Sequence, residues 1–335
     1  MSVKVAINGF GRIGRLAFRM MFDDNDFEVV ALNDLTDAEQ LAYLLKYDSS
    51  QGAYEKEVSF EGSDLIVEGR KFRVYSERDP HNLPWKKLDV DIVLECTGIF
   101  RTKEKAGIHL EAGAKRVMLS APAKGDVPTF VYNVNCDNMT TDDKIVSAAS
   151  CTTNCLAPIA KILDDEFTIK KGLMTTIHAY TNDQPTLDSP HKKGIYARRG
   201  RAAAQNIIPT STGAAVAVGL VLPQLNGKLD GMALRVPVSV GSIVDLTVEL
   251  DKKVTVERIN EAVKAAQSDT VGYTEDPIVS SDVIGNTNGT LFDGNATKIV
   301  EENGKQLVKV LSWYDNESSF TAQMIRLTKK MAGLI

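Results

Sequence analysis

The stretch Val3-Lys4-Val5-Ala6-Ile7-Asn8 runs directly into Gly9-Phe10-Gly11-Arg12-Ile13-Gly14, and this junction decides the fold of the first half of the chain. The first six residues have little polarity, which is typical of a strand buried in a parallel sheet, and residues 15–21 have helical periodicity. A G-x-G-x-x-G motif between a strand and a helix predicts a dinucleotide-binding turn. Gly9 permits the turn, Gly11 lets a pyrophosphate approach the backbone, and Gly14 lets helix and strand pack closely.

An acidic residue follows the glycine motif at the spacing expected for a dinucleotide-binding fold. A second apolar strand, residues 27–32, ends at Asn33 and Asp34, and Asp34 lies 20 residues after Gly14. This is the usual place for an acid that bonds the adenosine ribose 2′-hydroxyl. Because Asp34 would repel a 2′-phosphate, it favours NAD over NADP. The alternative is that Asp34 is an ordinary turn residue at a strand end.

The first 150 residues alternate between strand and helix patterns. We predict helices at 37–47 and 103–112, strands at 91–96, 116–120, 129–132 and 144–149, and shorter strands at 58–60, 64–67 and 71–74. This alternation predicts an α/β fold with a doubly wound, mostly parallel Rossmann-type sheet. Cys96, at the end of an apolar strand, is expected to serve packing rather than chemistry.

A cysteine follows the last of these strands, in Ser150-Cys151-Thr152-Thr153-Asn154-Cys155. Residues 154–167 have an apolar face at helical spacing, so Cys151 is expected where a strand ends and a helix begins. Free N–H groups and the dipole at a helix start favour thiolate, the nucleophilic form of cysteine. The alternative is a buried structural cysteine.

The second half contains the best candidate for a base. Residues 172–180 read as a strand whose alternation places Thr176 and His178 on one face, and imidazole titrates in the range that a cysteine nucleophile requires. The other three histidines, His81, His109 and His191, are expected in polar or loop surroundings.

Two further features of the second half suit anions. Thr212 and Gly213 precede a predicted helix at 214–220, and helix N-termini bind anions. Arg235 stands within an apolar strand, so it either forms a core or subunit ion pair or faces a buried anion. The long segment 181–205 has little periodicity, which in a compact domain usually indicates a functional loop.

The remaining patterns predict strands at 232–237, 242–250 and 307–314, and helices at 256–267 and 316–331. Strands joined by hairpins and one crossover predict an α+β domain with a mixed or antiparallel sheet.

Composition excludes several classes of protein. The chain has 335 residues and a net charge of −5, with 43% hydrophobic and 25% charged residues, so no general basic field invites nucleic acid or an anionic membrane. No run reaches the roughly 18 apolar residues of a membrane helix, and the first residues enter a strand pattern without a signal peptide. The four cysteines fit no zinc template. We expect a cytoplasmic protein with reduced thiols and no bound metal.

Together these segments resemble the phosphorylating glyceraldehyde-3-phosphate dehydrogenase family over nearly the whole chain. The resemblance rests on residues 8–15, 149–155, 178–181, 211–215, 225–231 and 312–317, among which the cysteine segment is highly specific. It implies oxidative phosphorylation of D-glyceraldehyde 3-phosphate to 1,3-bisphosphoglycerate with NAD and inorganic phosphate, in glycolysis or gluconeogenesis. Cys151 would form a thiohemiacetal and then a thioester, while His178 would lower the thiol pKa and take the hemiacetal proton.

The resemblance also implies the binding residues. Thr181 and Arg235 would hold the substrate phosphate. The inorganic phosphate would be held by Ser150, Thr152, Arg198, Thr212 and Gly213. Cofactor contacts would come from Gly9, Gly11, Arg12, Ile13, Gly14, Asp34, Arg78, Ser120 and Asn316. An NAD-binding domain would comprise residues 1–150 completed by a C-terminal helix at 316–335, and a catalytic domain residues 151–315. The family further implies a homotetramer.

Two other functions remain open at this stage. Erythrose-4-phosphate dehydrogenase shares most of these segments and would release an acid without needing phosphate. A binding or adhesion protein could have kept the fold without catalysis. One departure from the family pattern is Phe320, which stands where tyrosine is usual near the nicotinamide.

Overall fold

A computed structural model describes residues 2–194 and 196–335, which divide into two units. One unit comprises the chain up to Ser150 together with Thr321–Ile335, and the other comprises Cys151–Phe320. None of the described helices is both long enough and apolar enough to cross a membrane.

The first unit contains twelve elements that precede Ser150 and most of the final helix. They are β1 (Val3–Asn8), α1 (Arg12–Met21), β2 (Phe27–Asn33), α2 (Ala38–Lys46), β3 (Val58–Glu61), β4 (Asp64–Val67), β5 (Arg70–Tyr75), α3 (Trp85–Leu88), β6 (Ile92–Glu95), α4 (Lys103–Glu111), β7 (Arg116–Leu119) and β8 (Ile145–Ser147). Short strands and short connections of this kind suit a doubly wound sheet.

The eight strands of this unit form one sheet in the order β3-β4-β5-β2-β1-β6-β7-β8. Neighbouring strands are parallel throughout the run β5-β2-β1-β6-β7-β8, whereas the pairs β3/β4 and β4/β5 at one edge are antiparallel. The order β5-β2-β1-β6-β7-β8 is that of a dinucleotide-binding fold, whose direction of winding reverses between β1 and β6. Ligands in such sheets bind at the carboxyl ends of the strands on either side of that reversal.

The second unit begins with a helix. Its elements are α5 (Cys151–Phe167), β9 (Ile169–Ala179), β10 (Ile208–Ser211), α6 (Ala214–Val221), β11 (Leu229–Val236), β12 (Ser242–Leu250), α7 (Val256–Ala265), β13 (Val271–Thr274), β14 (Thr290–Glu302), β15 (Lys305–Tyr314) and the start of α8 (Ser318–Ala332). The sheet order is β10-β11-β9-β12-β15-β14-β13, with parallel pairs at β11/β9 and β14/β13 and antiparallel pairs elsewhere.

The two faces of this second sheet differ. Strand β12 alternates between buried and half-buried positions and packs against α5, whereas α6 packs on β11 and α7 packs on β13 and β14. Positions on the opposite face include Leu173 and Met232, which are 67% and 41% exposed. That face also carries the ion pairs Lys171–Glu249 and Lys309–Asp245, so it combines exposed apolar and charged side chains.

The fold class predicted from the sequence is confirmed, and the differences are local. Residues 129–132 do not form a strand; only an isolated bridge joins Thr129 to Ser147. Strands β10, β13 and β14 were not predicted, because their short length or mixed polarity gives a weak alternation signal. Helix α5 begins at Cys151, three residues before the predicted start. His109, expected in polar or loop surroundings, is fully buried.

Candidate active site and dinucleotide pocket

Cys151 is the first residue of α5, directly at the helix N-terminus. Its side chain is partly exposed, whereas Cys155, one turn further along, is fully buried against Thr290 and the carbonyl of Ser312. Just before the helix, Ala149 has φ +61°, a left-handed conformation that costs a residue with a Cβ about 1–2 kcal/mol. Cys151 is therefore the accessible thiol of the pair.

His178 lies on β9 with its Nε2 atom 3.3 Å from the Sγ atom of Cys151. The other ring nitrogen, Nδ1, is 2.6 Å from the carbonyl oxygen of Ala179. A carbonyl can only accept a hydrogen bond, so Nδ1 carries the proton and Nε2 presents its lone pair to the thiol. This tautomer is the one that can remove a proton from Cys151.

Burial disfavours a charge on Cys151 alone and a charge on His178 alone. It raises the pKa of the Cys151 thiol, although the positive charge of Arg235 and a hydrogen bond with Thr152 act in the opposite direction. Burial, together with the charge of Arg235, also lowers the pKa of His178 to about 3. That His178 lowers the thiol pKa stays a prediction. Moving one proton from Sγ to Nε2 creates both charges 3.3 Å apart, where each compensates part of the other's lost hydration.

Arg235 is the neighbour of His178 on the adjacent strand β11, and it is only 8% exposed. Its Nη1 atom donates to the Ala179 carbonyl at 2.8 Å and to Thr181 Oγ1 at 3.0 Å. Its Nε atom is buried and has no hydrogen-bond partner among the described residues. A buried guanidinium with an unused donor fits a bound oxyanion such as phosphate.

Asp183 connects this arginine to the long loop. The Thr181 hydroxyl donates to Asp183 Oδ1, and Arg199 Nη1 donates to Asp183 Oδ2 at 2.7 Å. Arg199 Nε also donates to Thr210 Oγ1 on β10 at 3.2 Å. The network thus holds two guanidinium groups and one carboxylate, which leaves it net positive beside His178.

The structure distinguishes Arg198 from its neighbour. Both arginines line one surface pocket, but Arg198 has an exposed side chain, whereas Arg199 is half buried and belongs to the Asp183 network. Sequence reasoning selected Arg198 and did not find Arg199 or Asp183. The signal that could have found them is the pairing of an acid with an arginine inside one long loop.

The other residues predicted to bind phosphate have different surroundings from one another. Thr152 is buried, and its hydroxyl bonds that of Tyr314 at 2.9 Å. Thr212 is half buried and accepts from the N–H of Ala214 at 3.2 Å, while Gly213 is the exposed N-cap of α6. Ser150 is half buried and belongs to the first unit.

Tyr314 was not found from the sequence, yet it packs beside both Cys151 and His178. Its hydroxyl bonds both Thr152 and Thr176, the latter at 2.8 Å, and its ring meets the His178 ring edge to face at 6.0 Å. Because it is fully buried, it holds the imidazole and the start of α5 in fixed positions. It sits at the end of an ordinary alternating strand, so nothing local distinguishes it.

The first unit has a pocket at the carboxyl ends of β1, β2 and β6. It is lined by Asn8, Gly9, Gly11, Asn33, Asp34, Leu35, Glu77, Arg78, Pro80, Cys96, Thr97, Ile99 and Phe100. Four of the predicted cofactor residues, Gly9, Gly11, Asp34 and Arg78, are thus together in one pocket.

The glycines of the turn fit a dinucleotide for different reasons. Gly9 has φ +92°, and a Cβ there would lie 2.8 Å from the backbone nitrogen of Thr97. A Cβ at Gly14 would lie 2.1 Å from the Gly9 carbonyl oxygen. At Gly11, the N-cap of α1, a Cβ would meet no protein atom within 4 Å. Packing thus explains Gly9 and Gly14, whereas Gly11 leaves open space that suits a pyrophosphate.

Asp34 is held against the glycine turn. Its Oδ2 atom accepts from the N–H of Phe10 at 2.7 Å, and its Oδ1 atom accepts from the N–H of Thr36 at 3.0 Å. The carboxylate is therefore oriented before any ligand binds, at the end of β2 where a ribose would lie.

The remaining cofactor candidates lie outside the pocket lining. Arg12 pairs with Asp48, Ile13 is half buried in the first turn of α1, and Ser120 hydrogen-bonds the Cys96 thiol. Asn316 belongs to the second unit, where its Oδ1 accepts from Ser242 Oγ at 3.0 Å. Within residues 2–194 and 196–335, no group of three or more His, Cys, Asp or Glu side chains is arranged to hold a metal ion.

Comparison with known proteins agrees with both halves of this description. Residues 3–103 match the family model for the glyceraldehyde 3-phosphate dehydrogenase NAD binding domain, and residues 150–316 match that for the C-terminal domain of the same enzyme. The chain is 57% identical over 331 residues to the glyceraldehyde-3-phosphate dehydrogenase of Clostridium pasteurianum, covering 99% of each chain. It is 58% identical over 323 residues to that of Clostridium acetobutylicum, covering 96% of each, and 56% identical over 335 residues to that of Streptococcus pyogenes, covering 100% of this chain and 99% of the relative. The chain therefore belongs to the glyceraldehyde-3-phosphate dehydrogenase family.

Proposed function

We propose that this protein oxidises D-glyceraldehyde 3-phosphate with NAD and couples the oxidation to inorganic phosphate, forming 1,3-bisphosphoglycerate in glycolysis or gluconeogenesis. The observation that carries the proposal is the contact between Cys151 Sγ and the lone pair of His178 Nε2, beside the buried guanidinium of Arg235. The nucleophile at the start of α5 is thus in contact with its base on β9, and the anion-binding arginine is the neighbour of that base on β11.

The protein side of the reaction follows from this geometry. The thiol proton moves to Nε2, and the thiolate adds to the aldehyde carbon; the new oxyanion takes that proton back, which leaves a thiohemiacetal. His178 then removes the hydroxyl proton as the hydride leaves the same carbon, so a thioester remains on Cys151. When bound, NAD supplies the hydride acceptor.

Inorganic phosphate completes the cycle. An oxygen of hydrogen phosphate attacks the thioester carbonyl, the thiolate leaves, and the phosphate proton returns to sulfur while His178 loses its proton to solvent. The N–H groups at the start of α5 and the His178 ring can stabilise the oxyanion of the tetrahedral intermediate. The products are the acyl phosphate, NADH and one proton.

Two phosphates need two binding sites. We assign the substrate phosphate to Thr181 and Arg235, because the buried Nε of Arg235 lacks a partner. We assign the attacking phosphate to Ser150, Thr152, Thr212 and Gly213. For this second site the geometry favours Arg199 over Arg198, since Arg199 joins the Asp183 network and Arg198 is exposed.

We further propose that residues 1–150, completed by residues 316–335, hold NAD, and that residues 151–315 carry the catalytic groups. Gly9, Gly11 and Gly14 would admit the pyrophosphate, with Arg12, Ile13, Arg78 and Ser120 as further contacts. Asp34 would bind the adenosine ribose and disfavour NADP. Asn316, oriented by Ser242, would bind the nicotinamide carboxamide.

Oligomeric state and location complete the proposal. The family resemblance implies a homotetramer, and the exposed Leu173 and Met232 on one face of the second sheet support a subunit contact there, because large apolar side chains are commonly buried at such contacts. Four free cysteines and phosphorylated substrates support a cytoplasmic location.

A coupled assay tests the function. NADH formation is expected to require the aldehyde phosphate, NAD and inorganic phosphate together, and Cys151→Ser is expected to lose at least about 10³-fold in kcat because the nucleophile is removed. Steady NADH formation without phosphate would instead support erythrose-4-phosphate dehydrogenase chemistry. No NADH formation under any condition would support a binding or adhesion role.

Alkylation of Cys151 tests the base. In His178→Asn the thiol keeps only its burial-raised pKa, so iodoacetamide labelling at pH 7 is expected to be at least about tenfold slower than in the unaltered protein. Thiolate forms only as the pH approaches that raised pKa, so the variant rate is expected to recover above pH 9. Equal rates of the two proteins at pH 7 would show that His178 does not activate the thiol.

Adjacent arginines provide a matched pair of variants. Arg199→Gln is expected to raise the KM for inorganic phosphate more than about tenfold, because a charge-assisted contact is lost from a half-buried site. Arg198→Gln is expected to change that KM less than about threefold, since its side chain is exposed. The reverse ranking would return the phosphate role to Arg198.

Light scattering tests the assembly. We expect a mass about four times the 36.6 kDa of one chain, and a smaller mass for Leu173→Asp, which replaces an exposed apolar side chain on that sheet face with a charge. Lys170→Asp, on the same strand but at an exposed charged position, is the control. A monomer mass for the unaltered protein would contradict the tetramer.

A further inference from the structure

A continuous chain of buried polar side chains lies beside the pocket of the first unit. His109 is 0% exposed and Glu95 is 2% exposed, and neither belongs to the proposed catalytic or cofactor contacts. They connect Trp85 at one end to Asn8, Asn33 and the backbone of Glu77 at the other. Three of these residues, Asn8, Asn33 and Glu77, line the pocket directly.

Trp85 determines the protonation of His109. The indole Nε1 of Trp85 lies 3.1 Å from His109 Nδ1, and an indole N–H can only donate. His109 Nδ1 must therefore present a lone pair, so the ring is neutral and its proton is on Nε2. That Nε2–H points to Glu95 Oε2 at 3.0 Å.

Glu95 receives donors on both of its oxygens. His109 and Asn8 donate to Oε2, the latter at 2.5 Å, while the backbone N–H of Thr97 donates to Oε1 at 2.8 Å and the Thr97 hydroxyl donates to the same oxygen. In the part of the chain that the structure describes, no Lys or Arg forms an ion pair with Glu95. Four donors therefore stabilise a buried carboxylate that has no cationic partner.

The other end of the chain is equally determined. Asn33 Nδ2 donates to the Glu77 carbonyl at 2.9 Å, and Asn33 Oδ1 accepts from the Glu77 N–H at 2.9 Å. Asn33 Nδ2 also donates to Asn8 Oδ1 at 2.7 Å, which leaves the Asn8 amide nitrogen to donate to Glu95. From Glu77 to Trp85, the direction of each of these hydrogen bonds is thus determined by its neighbours.

The chain joins the walls of the pocket to one another. It ties the ends of β1, β2 and β6 together and fixes Thr97, whose backbone packs against the Gly9 turn. It also fixes Glu77, the residue before Arg78. If Glu95 lost its acceptor character or His109 its donor, the pocket walls would have to move apart.

We propose that Glu95 and His109 are positioning residues for the dinucleotide: they hold Thr97, Asn8 and the segment at Glu77 and Arg78 at the spacing that NAD requires. This proposal rests on the assignment of NAD to this pocket. It makes NAD affinity depend on two side chains that do not touch the reacting atoms.

Calorimetric titration with NAD, which needs no turnover, is the primary measurement. Glu95→Gln turns one acceptor oxygen toward donors as an NH₂ group, and we expect NAD affinity to fall about tenfold because a buried donor loses its acceptor. His109→Leu removes the donor to Glu95 and the acceptor of Trp85, and we expect a similar loss. In both variants the KM for NAD should rise while the KM for the aldehyde phosphate stays within about twofold.

A conservative variant of His109 distinguishes a positioning role from a general effect on stability. His109→Gln keeps an N–H donor for Glu95 and an acceptor for Trp85, so its NAD affinity is expected to stay within about threefold of the unaltered protein. The exposed His81 serves as control, and His81→Gln is expected to change nothing. If His109→Leu does not fold, Thr97→Val decides, since it removes one of the four donors at almost constant volume.

The outcomes separate this proposal from the enzymatic one. Undiminished NAD affinity in Glu95→Gln and Thr97→Val would overturn it, and so would equal losses of affinity for NAD and for the aldehyde phosphate. If the unaltered protein binds NAD but forms no NADH with aldehyde and phosphate, the proposed reaction fails while the positioning role remains measurable.

Discussion

The hydrogen bond from His178 Nδ1 to the Ala179 carbonyl is the contact on which the proposed chemistry depends. It leaves the lone pair of Nε2 3.3 Å from a thiol at the start of a helix. With the opposite tautomer, Nε2 would carry a proton toward Sγ and could not accept another. The same carbonyl accepts from Arg235, so the anion site and the base share one backbone oxygen. The orientation of the base is thereby linked to the position of the cation.

Burial disfavours an isolated charge on the side chains of this site. Neither thiolate nor imidazolium is favoured alone, since burial raises the pKa of Cys151 and lowers that of His178. The charges of Arg235 and Arg199 lower the pKa of His178 further, whereas Asp183 acts in the opposite direction, and the network remains net positive and can stabilise an anion. An anionic substrate would offset that positive charge and so make protonation of His178 easier. Substrate binding and proton transfer are therefore coupled through Arg235.

The pocket of the first unit differs in its charges. For a pyrophosphate it would offer the open space at Gly11 and the N–H groups at the start of α1, with Arg78 as the cation of its lining. The walls of the pocket are joined by amides, a neutral imidazole and one carboxylate that is surrounded by four donors. Such a network is rigid because each member has a single arrangement of donors and acceptors.

Much of this protein could be predicted from local patterns. The strand, the three glycines and Asp34 lie close together along the chain, so their spacing alone indicated a dinucleotide fold. Cys151 at a strand-to-helix junction was found for the same reason. Periodicity says little about a segment of four residues, which is why residues 129–132 were predicted as a strand and the short edge strands β10 and β13 were missed. The longer β14 was missed because its alternation is interrupted by a register shift between Asp293 and Lys298.

Only the tertiary structure decided which distant side chains meet. The buried surroundings of His109 are formed by Trp85, Glu95 and Asn8, and Asn8 lies 101 residues away from His109 along the chain. No local sequence pattern indicates such a contact. Which of two adjacent arginines pairs with Asp183 depends on the path of the loop, and the contacts of Tyr314 depend on strand register. Sequence spacing determines secondary structure because that structure is local, whereas the charges and donors of a buried site are paired by long-range packing.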